Sequence, residues 1–275
     1  MNPKNPLTDI IGSIMVVLLL ASCGTSESVP TSMPVPPTPV LATVPTAAVA
    51  EAAEEWDYVA IGDYNTWGFP KRYASHLEAD LDVNVTVHDW HSTVQTTVSL
   101  LTRLQNNQEL RRILGEAEVV TFAAKPMDRI GWLCITEDKP DFDCSPQALA
   151  AFKEDYEAII TEILSLRRGS ATIIRTMDLY MPYYGEWRER GIYDDCWRCW
   201  EAVNEIIHQV AAERGIPIAS VYEAFNGPEH EEDPQDKGYV HVVGRGSWIA
   251  GDTNETGQAL IADLFQELGY EPMIP

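Results

Sequence analysis

Positive charge is scarce in this chain: 19 Lys and Arg stand against 42 Asp and Glu, for a formal net charge of −23. A surface of that sign repels phosphate backbones and anionic headgroups, which argues against nucleic-acid binding and against polybasic docking on a membrane. Long apolar runs are lacking too. The stretch from Ile10 to Leu20 is too short to cross a bilayer comfortably and has the proportions of a signal peptide. No internal repeat and no zinc-ribbon spacing is present, so neither a repeat array nor a Cys-rich metal module is expected. What remains is a chain of 275 residues that is 45% hydrophobic, enough to bury one sizeable core.

The N-terminus is not part of that core. Lys4, the apolar run and then Leu20-Ala21-Ser22-Cys23 resemble a bacterial lipoprotein signal with its lipobox, so residues 1–23 are expected to be a signal peptide with Cys23 as the lipidated residue. Residues 24–53 carry VPTSMPVPPTPV, a Pro/Thr-rich composition without periodicity that reads as a disordered tether. Residues 54–275 form the globular domain. The mature protein is thus expected outside the cytoplasm, lipid-anchored to the bacterial cell membrane. Such a compartment permits disulfides, and Cys134, Cys144, Cys196 and Cys199 make an even set with three possible pairings. Local closure favours Cys134 with Cys144 and Cys196 with Cys199.

Along the domain, apolar β-rich runs alternate with helical spacing. Strands are predicted at Trp56–Ile61, Val83–Trp90, Glu118–Ala124, Ala171–Asp178 and Pro217–Tyr222, and helices at Pro70–Leu81, Val94–Leu114, Pro146–Leu166, Glu201–Arg214 and Thr256–Leu268. Alternation of this kind predicts an α/β fold, a three-layer α/β/α sandwich on a parallel sheet. The aromatics between Tyr180 and Trp200 read as the small core of a disulfide-bearing loop, or alternatively as a groove for an acyl chain or sugar ring.

The stretch WDYVAIGDYNTWGF at Trp56–Phe69 and the tail Thr253-Asn254-Glu255-Thr256-Gly257-Gln258-Ala259-Leu260 carry a resemblance. They resemble the first and last blocks of the SGNH (GDSL-type) hydrolases, esterase- and lipase-like enzymes that act on carboxylic esters without a cofactor. The resemblance covers nearly the whole globular part and implies a five-stranded, flavodoxin-like parallel sheet of order 2-1-3-4-5. It also implies a site at the carboxyl ends of the strands.

The resemblance places each catalytic position, and each is substituted. Gly62 and Asp63 match the family's Gly-Asp-Ser, but Tyr64 holds the serine position, followed by a matching Asn65. Val94 falls on the second-block glycine. Lys125-Pro126-Met127-Asp128 stands for Gly-x-Asn-Asp, so Met127 replaces the asparagine and Asp128 is kept. Counting back from Gly257 puts Asp252 at the histidine and Ile249 at its aspartate; a second register puts Glu255 at the histidine and Asp252 at the aspartate. A phenol near pH 7 without a base is a poor nucleophile, and losing an oxyanion donor typically costs ~10²–10³ in turnover. Ordinary serine-esterase activity is therefore not expected. Asp63, Asn65, Lys125, Asp128 and His91 are candidates to line the former pocket; Lys125 is either a solvated lysine, the commoner outcome, or a partner of Asp252 or Asp63 across it. Its expected occupant is an ester or a glycan. The competing expectation is an active esterase or carbohydrate deacetylase that uses a rearranged base, His91 being the nearest, or a metal held by Asp63, Asp128 and Asp252 with His91 or His241. The carboxylates of so acidic a chain are mostly solvated, and neither metal nor cofactor is expected.

Overall fold

β1 (Glu54–Ile61) is buried on both faces from Tyr58 to Ile61, as an inner strand of a parallel sheet must be. The computed structural model describes residues 53–62, 68–92, 95–131, 143–241 and 251–275, all within one unit, Glu51–Pro275. Five strands, β1, β2 (Val83–Asp89), β3 (Val119–Phe122), β4 (Ile173–Met177) and β5 (Ile218–Ala219), pair in parallel in the order β2-β1-β3-β4-β5. The expected 2-1-3-4-5 sheet is therefore present.

Alternate residues of β1 feed the two faces. Val59 and Ile61 join the core under α2 (Thr97–Asn106), α3 (Gln108–Glu116), α5 (Pro146–Leu166) and α7 (Tyr193–Glu213). Tyr58 and Ala60 join the core under α1 (Phe69–Leu81), α8 (Val221–Asn226) and α9 (Glu255–Glu267), where Phe69 stacks on Phe265 at 5.0 Å. Two short helices, α4 (Met127–Ile130) and α6 (Tyr184–Arg190), complete the described elements.

Three expected elements differ. The single helix over Val94–Leu114 is two, because the Asn107 side chain accepts from Leu110 N–H and caps a new helix start. β5 stops at Ala219, because the buried Asp178 carboxylate accepts from Tyr222 N–H (2.7 Å) and starts α8 where strand was expected. The aromatic segment is not a loop with a core of its own. α6 and the first half of α7 lie in it, and Trp187, Tyr193 and Trp200 belong to the main core, with Trp187 edge-on to Trp200 at 6.1 Å.

The disulfide pairing also differs. Cys144, just before α5, bonds Cys199 on α7 (Cα–Cα 5.7 Å), and Cys196 is disulfide-bonded as well; Cys134 lies outside the described residues. Cys196 and Cys199 sit three apart in a regular helix, where Cβ atoms are about 5–6 Å apart. A disulfide needs about 3.5–4.5 Å, so the short Cys196–Cys199 ring cannot close there.

Candidate functional site at the carboxyl edge of the sheet

Two connections at the carboxyl ends of β2 and β3 are tied together by backbone. Lys125 N–H donates to Gln95 O (3.3 Å) and Thr97 N–H to Lys125 O (3.2 Å). Thr96 then caps α2 through a reciprocal pair with Ser99. Behind this junction Arg103 donates to Trp90 O (2.9 Å) and to the buried Gln95 Oε1 (2.8 Å). The ends of β2 and β3 are thereby held in one register.

Asp128 bonds to the start of α2. It is exposed, and its carboxylate accepts from Val98 N–H (2.7 Å) and from the Thr97 hydroxyl (3.1 Å), fastening α4 to the first turn of α2. That carboxylate satisfies one open N–H group of a helix end and lies at its positive pole. Arg129 and the buried Asp155 extend the brace (Nε to Oδ2 2.7 Å, Nη2 to Oδ1 3.1 Å), with Asp155 also within 3.3 Å of the Thr97 hydroxyl. Met127, the first residue of α4, is half-buried. Its thioether offers no proton to an anion.

The segment before α9 is fixed from two sides. Tyr180 O–H donates to Gly251 O (2.6 Å), and Gly251, at φ 87°, leaves no room for a side chain because a Cβ would meet Pro182 Cβ at 2.6 Å. Asp252 O accepts from His241 N–H (2.9 Å), and Val240 bridges Thr253. Asn254 caps α9 by accepting from Thr256 N–H (2.9 Å) and Gly257 N–H (3.1 Å), while its amide donates to Gly238 O (2.8 Å). The half-buried Asp252 is thus held two residues ahead of a rigid helix start.

The β1–β2 ladder continues past Asp89: Trp90 N–H donates to Ala60 O (2.9 Å) and Ser92 N–H to Gly62 O (3.1 Å). Asp89 and His91, two apart, therefore share a face, that of Ala60 and the α1 layer, while Trp90 packs into the opposite core. Asp89 Oδ1 accepts from His91 N–H (3.0 Å) and is bonded to His91 Nδ1. Burial works against the charged carboxylate of Asp89. The hydrogen bonds from the His91 ring and backbone, with the electrostatic pull of His91 and Lys71, outweigh it and hold the carboxyl below its usual range.

Of the expected site residues, Tyr64, Val94 and Ile249, with Asp63 and Asn65, lie outside the described residues. Lys125 and Met127 follow β3, Asp252 precedes α9, Asp128 bonds to the first turn of α2, and His91 bonds Asp89. Asp89 was missed, although Asp-x-His at the end of a strand is a legible signal for two side chains on one face. Among the described residues no group of three or more His, Cys, Asp and Glu is arranged to hold a metal ion.

Neither a family model nor a curated protein matches the chain. Solved structures do. The lipase Lip_vut3 from a goat rumen metagenome superposes with a TM-score of 0.61 at 20% identity, over 78% of this chain and 98% of that one. A lipase/acylhydrolase from Enterococcus faecalis gives 0.52 at 17% identity, over 80% and 98%. With the parallel 2-1-3-4-5 sheet and its flanking helices, these likenesses lead to one conclusion: the chain has the fold of the SGNH (GDSL-type) hydrolases.

Proposed function

We propose that this chain is a lipid-anchored, extracytoplasmic protein of the SGNH-hydrolase fold in which ordinary serine-esterase chemistry has been lost. Its carboxyl-edge site is retained for an ester or glycan ligand. The observation that carries the reading is the anchoring of α9. Gly257 packs against the Tyr239 carbonyl where no Cβ fits, and Asn254 caps the helix, so the spacing from Asp252 to Gly257 has a physical reason to be kept. That favours the register with Asp252, a carboxylate, in place of the family's histidine. A carboxylate at that place cannot relay a proton from a nucleophile near pH 7 as an imidazole does.

The half-buried Met127 at the start of α4 supports the same reading, since its side chain cannot donate to an oxyanion. The Cys144–Cys199 bond supports an oxidising compartment, and hence the export that the N-terminal residues call for.

The test is restoration. The variant Tyr64→Ser, Val94→Gly, Met127→Asn, Ile249→Asp, Asp252→His is expected to hydrolyse short-chain esters at least about 10³-fold faster than the parent, the scale of a regained nucleophile–base system. A folded variant no faster than the parent would contradict loss at these positions.

A further inference from the structure

Among the described residues five histidines hydrogen-bond a carboxylate. His76, His88 and His208 do so through Nε2, and His91 and His230 through Nδ1. His91 differs from the other four. Its side chain is only 9% exposed, and its Nε2 is buried without a hydrogen-bond partner among the described residues. Leaving a buried polar atom unpaired is costly, and such an atom in a native fold marks strain, a catalytic role or a missing ligand.

The tautomer follows from the partner. An ionised carboxylate only accepts, so the Asp89 contact requires the proton on Nδ1, and neutral His91 carries its lone pair on Nε2. A carboxylate bonded at Nδ1 with a free lone pair at Nε2 is the arrangement of a positioned general base. The pair stands at the carboxyl end of β2 beside Gly62, on the α1 side of the sheet, supplied by a different strand from the segment before α9.

We propose that His91 is a water-activating base oriented by Asp89, and that it gives this site a slow hydrolysis of small activated carboxylic esters without a covalent intermediate. The proposal rests on the reading that the serine route is gone. Nε2 takes a proton from water as the water oxygen bonds to the ester carbonyl carbon. The tetrahedral intermediate then collapses with cleavage of the bond from carbon to the alkoxy oxygen, and that oxygen receives the proton from Nε2. Carboxylic acid and alcohol leave, and His91 is neutral again. Asp89 stays ionised throughout and acts as a positioning residue.

The experiment is hydrolysis of p-nitrophenyl acetate by the whole protein, its His91→Gln and Asp89→Asn variants and the surface control His76→Gln. The expected result is a parent rate above buffer that falls about 100-fold in His91→Gln and comparably in Asp89→Asn, the span of general-base catalysis, with His76→Gln unchanged. Nitrogen NMR of the parent ring should show the proton on Nδ1, and Asp89→Asn, whose amide can donate to that nitrogen, should move it to Nε2. A parent no faster than buffer, a His91→Gln variant as fast as the parent, or a parent ring protonated at Nε2 would overturn the proposal; the last needs no variant to fold. Pretreatment with a fluorophosphonate separates the two readings. Inhibition of the parent would sink the loss of the serine route, whereas resistance together with a slow His91→Gln variant supports both.

Discussion

Gly257, in the first turn of α9, lies directly against the backbone of Tyr239: a Cβ added there would sit 3.1 Å from the Tyr239 carbonyl carbon and nearer still to its oxygen. The backbone beside it cannot yield cheaply, since Val240 bridges Thr253 and Tyr239 O accepts from Asn254 N–H (3.1 Å). In Gly257→Ala two effects compete. Intrinsic helix propensity favours alanine by about 0.8–1.0 kcal/mol, whereas overpacking of this kind costs about 1–3 kcal/mol. With backbone as the obstacle the clash is expected to win. Thermal unfolding should show a lowered midpoint, and an unchanged or raised one would mean that α9 can slide away from Tyr239.

The Cys144–Cys199 bond closes a loop across a sequence separation of 55, from just before α5 to the first half of α7. Cross-linking over that distance removes about 4 kcal/mol of unfolded-chain entropy in the loop-closure description. Cys199→Ser should therefore cost about 2–5 kcal/mol in denaturant unfolding under oxidising conditions. A loss well under about 1 kcal/mol would show that helix packing alone fastens α5 to α7.

The contrast between that bond and the strand order shows what could be read from residues alone. Tyr58 to Ile61 announces a strand buried on both faces, and the regular exchange of such runs with helical spacing leaves few arrangements besides a parallel sheet under two helical layers. Which cysteine meets which depends on how α5 and α7 pack, a tertiary fact, and local closure erred because Cys196 and Cys199 lie inside a helix. Side chains that compete for backbone groups were similarly decisive and hard to foresee: Asn107 splits one helix into two, and Asp178 turns the end of β5 into α8. Asp128 matched its motif and was placed at the pocket, yet its lone pairs serve the N-terminus of α2.

His208 on α7 is bonded to the buried Asp178 (2.9 Å). That hydrogen bond raises the proton affinity of the imidazole above its ordinary value, outweighing partial burial, which acts the other way. A histidine whose pKa is higher folded than unfolded stabilises fully below the unfolded value, about 6.5, and the contribution fades as pH rises through the folded value. The gap in thermal midpoint between the parent and His208→Gln should thus be widest near about pH 5.5 and narrow by about pH 8.5. With the ring about half exposed the gap is modest, and its pH dependence, not its size, is the readout. A gap that stays constant across that range would contradict the assignment.

The central claim is that a hydrolase fold persists here without a reactive serine–histidine pair. It is tested most directly by incubating the intact protein with a fluorophosphonate probe and measuring its mass. The account predicts an unmodified parent, and a single stoichiometric adduct on the serine introduced by Tyr64→Ser once all five restoring substitutions are made. A stoichiometric adduct on a serine of the parent would contradict it.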